Sequence, residues 1–140
     1  MEHHDVFVDT SGFYALWDAS DSHHRRAVEL QRSLVREGIA FVTTDYILDE
    51  TATLLNARHS RTAASDFLAT MRDTQFVHLV WMQPMMFQKV SLYFESSQDK
   101  NWSFTDCFSF CLMRERSLTR AFTTDHHFVQ AGFDTLLKQT

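Results

Sequence analysis

The strongest constraint on the fold is an alternation along the chain. Short apolar runs of strand length are separated by longer stretches of helical period, and two of the runs lead into an aspartate. Val6-Phe7-Val8 meets Asp9, and the run Thr119 to Thr123 is followed by Thr124-Asp125. Ile39 to Thr43 and Gln75 to Trp81 read as two further strands, and Phe133 to Leu137 as a last edge strand. Between them, a short helix or turn is expected over Thr10 to Asp18, and helices over His23 to Glu37, Tyr46 to Arg58, Ser60 to Arg72, Pro84 to Ser97, Ser103 to Glu115 and His126 to Ala131. Ser20-Asp21-Ser22, Ser60 and Ser103 stand where side-chain caps belong, Pro84 suits a first helical position, and Gly38 and Gly132 suit helix ends. Strands alternating with helices predict an α/β fold: a parallel sheet of four to five strands with helices on both faces. Ligands of such sheets gather at the carboxyl ends of the strands.

At 140 residues the chain fits one domain, 1–140, with no internal repeat, linker or low-complexity tract. Its 44% hydrophobic and 14% aromatic content is enough to build a core and excludes a disordered chain. The three glycines form neither a dinucleotide fingerprint nor a phosphate loop, so a nucleotide cofactor is not expected. No apolar run approaches a membrane span and the first residues are short and polar, which predicts a soluble, cytoplasmic protein. Cys107 and Cys111, four apart in an apolar helix, read as reduced, buried side chains.

Four of the 18 acidic residues stand in unusual places. Asp9 and Asp125 lie just beyond strand ends, where each could also serve as a helix cap. Glu50 shares a helix row with Ile47 and Leu54, an apolar position for a carboxylate. Asp106 tops a row with Phe110 and Met113, and Ser103 three residues earlier gives it capping-box spacing. Four carboxylates meeting at one sheet edge would repel one another unless cations sat among them. Hard oxygen ligands suit Mg²⁺ or Mn²⁺, and such ions clamp a phosphodiester and activate water. The net charge of −5 argues against a tight nucleic-acid reader; neutralising these four acids would leave only −1.

In order, Val6-Phe-Val-Asp-Thr-Ser11, Thr44-Asp-Tyr-Ile-Leu-Asp-Glu-Thr51, Asp99-Lys-Asn-Trp-Ser-Phe-Thr-Asp-Cys107 and Thr123-Thr-Asp-His-His-Phe128 resemble the PIN-domain family, and most of all its VapC-type toxins. The resemblance spans about Val6 to Phe133. It implies a Rossmann-like fold and an endoribonuclease that uses Mg²⁺ or Mn²⁺ on single-stranded or loop RNA. It also implies a homodimer and a cognate antitoxin that blocks the cleft. Asp9, Glu50, Asp106 and Asp125 match the family's four acids, as metal ligands and catalytic residues. Thr10, Ser11 and Thr124 fall where hydroxyls orient a carboxylate or a water. Asp99 is a fifth acid without an assigned role, for which a surface loop is the simplest account.

Arg25, Arg26, Arg58, Arg61 and Lys100 are candidate RNA phosphate contacts, with solvated surface charge as the alternative for each. Tyr14, Trp17 and Trp102 could stack bases, although packing explains them equally simply. The adjacent pairs His23-His24 and His126-His127 lack the spacing of a zinc site and read as surface. Three alternatives stay open: an RNA-processing nuclease without an antitoxin, a flap-type DNA nuclease, and a PIN-like scaffold that only binds.

Overall fold

The computed structural model describes residues 5–137. The elements are β1 (Val6–Val8), α1 (Thr10–Trp17), α2 (His24–Arg36), β2 (Phe41–Thr44), α3 (Asp45–Arg58), α4 (Arg61–Asp73), β3 (Val77–Val80), α5 (Pro84–Ser96), α6 (Phe104–Glu115), β4 (Arg120–Phe122), α7 (His126–Gln130) and β5 (Asp134–Thr135). The five strands form one sheet in the order β3-β2-β1-β4-β5, and every pairing is parallel. Parallel neighbours need a crossover connection, which is why helices fill the intervals.

β1 and β2 are buried at every residue, as central strands covered on both faces must be. β3 is only partly buried and forms one edge. At the other edge, β5 pairs over Asp134–Thr135 alone, shorter than the expected Phe133 to Leu137. Phe133 instead packs against Phe110 and Phe128, and Leu137 is buried. β2 begins at Phe41 rather than Ile39, because the amides of Gly38 and Ile39 are used to close α2 on Val35 and Leu34.

α6 is buried continuously from Cys107 through Met113. A helix apolar all round belongs inside the molecule. Both thiols are free and buried, and burial pushes the Cys107 thiol up to about 11. Phe110 of α6 meets Phe128 of α7 edge-on at 4.9 Å, and Phe128 in turn lies 6.2 Å from Phe7 of β1. These rings join the three elements whose ends carry Asp106, Asp125 and Asp9.

Caps mark most helix starts. Thr44 accepts from Ile47 N, Ser60 from Ala63 N, and Ser103 with Asp106 completes a reciprocal capping box. α2 departs from expectation. Its N-cap position is His23, without a side-chain cap, while Asp21 Oδ1 accepts from the His23 amide one step upstream.

Candidate active site

The chain runs outward from β1 to β2 and β3, then returns across β1 to β4 and β5, so the strand order reverses between β1 and β4. That reversal opens a crevice beyond the strand ends, where α/β sheets hold ligands. Asp9 follows β1 and Asp125 lies three residues beyond β4. Gly12 allows the two to approach: a Cβ there would collide with the carbonyl oxygen of Phe122 in β4. The first turn of α1 thus lies directly against the end of β4.

Asp9 is 5% exposed and caps α1. Its Oδ1 accepts from Gly12 N at 3.0 Å and from Ser11 Oγ at 2.8 Å. Ser11 Oγ lies 3.0 Å from Thr123 Oγ1 and accepts from Thr124 N at 2.9 Å. Thr123 Oγ1 accepts from Asp125 N at 2.9 Å. The Thr123 hydroxyl lies against both Ser11 Oγ and the Asp9 carboxyl, whose ionised form it favours. The chain Asp9–Ser11–Thr123–Asp125 therefore fixes two strand-end acids relative to each other. Thr124 takes part through its backbone amide; the hydroxyl in the chain belongs to its buried neighbour Thr123.

Asp106 Oδ2 accepts from Ser103 N at 3.0 Å, the return arm of the capping box. Asp125 Oδ1 accepts from His127 N at 2.9 Å and caps α7. His127 Nδ1 stands 3.3 Å from Asp106 Oδ2 and 3.3 Å from Asp125 Oδ1. Glu50 Oε1 accepts from Thr10 Oγ1 at 2.6 Å, which ties α3 to the residue after Asp9. Sequence periodicity placed Glu50 in an apolar row, but it is exposed; the buried row of α3 is Ile47, Thr51 and Leu55, one step round the helix. Glu50 stands on the rim, and Asp49 beside it is exposed as well.

The shared contacts with His127 and with Ser11 and Thr123 bring the three aspartates to one corner. Burial drives the Asp9 carboxyl up to about 7, against the Gly12 amide and the Thr123 and Ser11 hydroxyls, and the Asp125 charge adds to the rise. Asp106 is also raised, chiefly by burial and further by Asp125, while the Ser103 amide and His127 oppose the shift. At both sites the Asp125 charge adds to the rise that burial causes.

All four acids follow one rule. Each has one oxygen tied by a protein donor: Asp9 Oδ1, Glu50 Oε1, Asp106 Oδ2 and Asp125 Oδ1. The hydrogen bonds of Glu50, Asp106 and Asp125 fall on that one oxygen, and Asp9 also meets the Thr123 hydroxyl. Carboxylates held by backbone and hydroxyl donors at one corner of the sheet fit a hard divalent cation. Asp125, His126 and His127 also bring three ligand atoms within 4.8 Å, but a closed tetrahedral zinc site needs a fourth protein ligand, and His126 is exposed.

A cleft of about 920 Å³ starts at Thr10 and Glu50 and runs along the outer face of α3, past Thr53 and Ala57, with Trp81 and Thr105 on its other side. Trp81 is 59% exposed there, an aromatic that sequence reading took only as the end of a strand. The three aromatics first considered for stacking are committed to packing. Tyr14 and Trp102 are buried, and Trp17 packs edge-on against Phe67. Arg26 donates to the Leu136 carbonyl, Arg58 covers the Tyr14 ring, and Lys100 pairs with Asp99 and lies over Trp102. Arg25 and Arg61 are exposed, and Asp99 sits on an exposed loop.

A parallel sheet with acids at its switch point defines a class, and residues 6–134 match the PIN domain family: the chain belongs to it. Within that family its relatives are VapC-type toxins. The chain is 31% identical over 128 residues to the 23S rRNA-specific endonuclease VapC20 of Mycobacterium tuberculosis, covering 91% of this chain and 95% of that protein. It is 28% identical over 116 residues to a VapC ribonuclease of Archaeoglobus fulgidus, covering 81% and 72%. The crystal structure of Mycobacterium tuberculosis VapC20, a sarcin-ricin loop cleaving toxin, superposes with a TM-score of 0.81 at 29% identity, covering 92% of this chain and 96% of that one.

Proposed function

We propose that this protein is a single PIN-like domain acting as the endoribonuclease toxin of a toxin–antitoxin pair, cutting single-stranded or loop RNA with Mg²⁺ or Mn²⁺. The observation that carries this reading is the convergence of Asp9, Asp106 and Asp125 at the switch point, with Glu50 tied to the same corner through Thr10. Asp9, Asp106 and Asp125 would hold the ion through their untied oxygens, and Glu50 would complete the site from the rim. A divalent ion bound there supplies a water of lowered pKa and stabilises charge on phosphorus and on the departing 3′ oxygen. The protein's part is positioning: Ser11, Gly12, Ser103, Thr10 and the start of α7 hold the carboxylates still. Cleavage leaves a 5′ phosphate and a 3′ hydroxyl, and no side chain acts as nucleophile.

The cleft beside Glu50 is open to solvent, and a strand reaching the acids through it would have to splay from any partner strand. Trp81 offers a stacking face on its wall. By analogy with its relatives, the substrate is a structured ribosomal RNA loop. No helix among the described residues is long and apolar enough to cross a membrane, and we place the protein in the cytoplasm with its thiols reduced. We assign it a homodimeric state and an antitoxin partner, for which Trp81, Met85 and Leu92 provide exposed apolar surface.

The test is cleavage by purified, nuclease-free protein of a ribosomal stem-loop, a scrambled loop and matched DNA, each with Mg²⁺, Mn²⁺ or chelator. The reading requires RNA cleavage that chelator stops and that Asp106→Asn loses. Preference for DNA would favour a flap-type nuclease, and metal-dependent RNA binding without cleavage would favour a scaffold.

A further inference from the structure

His127 is the one basic side chain seen to face both Asp106 and Asp125 among the described residues. Sequence reading assigned it to the surface, but its Nδ1 atom is buried. It is 3.3 Å from Asp106 Oδ2 and 3.3 Å from Asp125 Oδ1, yet makes a full hydrogen bond to neither. A buried, unpartnered Nδ1 equidistant from two carboxylate oxygens is placed to serve either or both. The oxygens it meets are the tied ones, held respectively by Ser103 N and by its own backbone amide. An imidazole serving as a ligand would be expected among the untied oxygens instead. His127 is itself held firmly: Phe128, next in sequence, is buried between Phe7 and Phe110. Trp102 Nε1 also ties the lead of α6 to Gln130 of α7.

We propose that His127 is a positioning residue of the active site, whose Nδ1–H bridges the rear oxygens of Asp106 and Asp125 and sets the spacing at which their free oxygens meet a divalent ion. The role rests on the metal-site reading above. It makes α7 more than a connector: the short helix supplies both a carboxylate and the group that locks that carboxylate to the one on α6. Without the bridge, two anions on separate helices relax apart, and the ion is held by fewer oxygens at one time. Outer-shell groups of this kind are worth about 10- to 100-fold in metal affinity.

The test is Mn²⁺ binding by calorimetry to the full chain and to His127→Asn, His127→Phe and Asp106→Asn, with thermal melts of each metal-free protein. Asn places an amide N–H near the position of Nδ1, whereas Phe keeps the ring and loses the donor. His127→Phe is expected to weaken Mn²⁺ binding about tenfold or more and His127→Asn to restore it to within about threefold, with RNA cleavage following metal occupancy rather than RNA affinity. Parental affinity in the Phe variant would overturn the role, as would an Asn variant no better than Phe while equally folded. Nitrogen coupling in the pulsed electron paramagnetic resonance of bound Mn²⁺ would overturn it in favour of direct ligation. If the parental protein binds Mn²⁺ and Asp106→Asn does not, the metal site stands whatever His127 does; a parental protein that binds none removes both.

Discussion

At the scale of the residue, Asp9 is the most informative side chain. Its carboxyl is raised to about 7 mainly because it is buried, so in the metal-free protein the charged form is the costly one. The sign of the linkage follows. Below about pH 3 the group is protonated in both folded and unfolded chains and contributes nothing to the pH dependence. As pH rises from there to about 7, the unfolded chain ionises first and the folded state loses stability, by at most about 4 kcal/mol. Asp9→Asn keeps the cap, since Asn caps as well as Asp. Melts of the chelated proteins from pH 4 to 8 should therefore show Asp9→Asn increasingly more stable than the parent as pH rises, and saturating Mn²⁺ should stabilise the parent alone. Equal melting curves across that range would mean that Asp9 carries no buried charge. The same substitution, and Asp106→Asn, should reduce cleavage by more than about a hundredfold, beyond the effect of an outer-shell change; initial rates on one RNA hairpin measure it.

At the scale of the element, close backbone approach and helix caps keep the carboxylates in register. Gly12 presses the start of α1 onto the Phe122 carbonyl, so Gly12→Ala must move either α1 or β4. Overpacking of that kind costs about 1–3 kcal/mol, and here it also separates Asp9 from Asp125. Thermal denaturation should show the loss of stability, and metal affinity should fall with it. Ser103→Ala removes one arm of the capping box and should cost about 1 kcal/mol, with Asp106 losing definition as well. Sequence alone exposed much of this level, because strand-length runs, caps and breakers are local signals. The acids after β1 and β4 were legible from position, and Asp106 from its capping spacing. What stayed hidden depends on how separate elements mesh. Glu50 and the row Ile47, Thr51, Leu55 differ by one step around α3, and only packing decides which row is buried. Thr123 and Thr124 are equivalent by composition, yet only the Thr123 hydroxyl enters the hydrogen-bond chain, Thr124 joining through its amide. His127 looked like half of a surface pair until α7 was docked against α6.

At the scale of the whole molecule, charge sets how RNA can be held. The chain carries −5, and several candidate phosphate contacts are already engaged: Arg26 with a carbonyl, Arg58 with a ring, Lys100 with Asp99. A basic track along the cleft is therefore absent from the assigned contacts, and the acid cluster itself repels phosphate until a cation is bound. Each phosphate neutralised by the protein contributes about −0.7 to the slope of log affinity against log salt for a single strand. Binding of a labelled hairpin to Asp106→Asn protein without divalent ions should thus be weak and shallow, with a slope no steeper than about −2 between about 50 and 200 mM salt. Adding Mn²⁺ to the parental protein should tighten binding far more than lowering the salt does, because the ion brings positive charge to a cleft whose lining residues include no Lys or Arg. Anisotropy titrations measure both. A slope near −5 without metal would reveal a basic surface engaging many phosphates at once, and would shift the source of RNA affinity away from the carboxylate site.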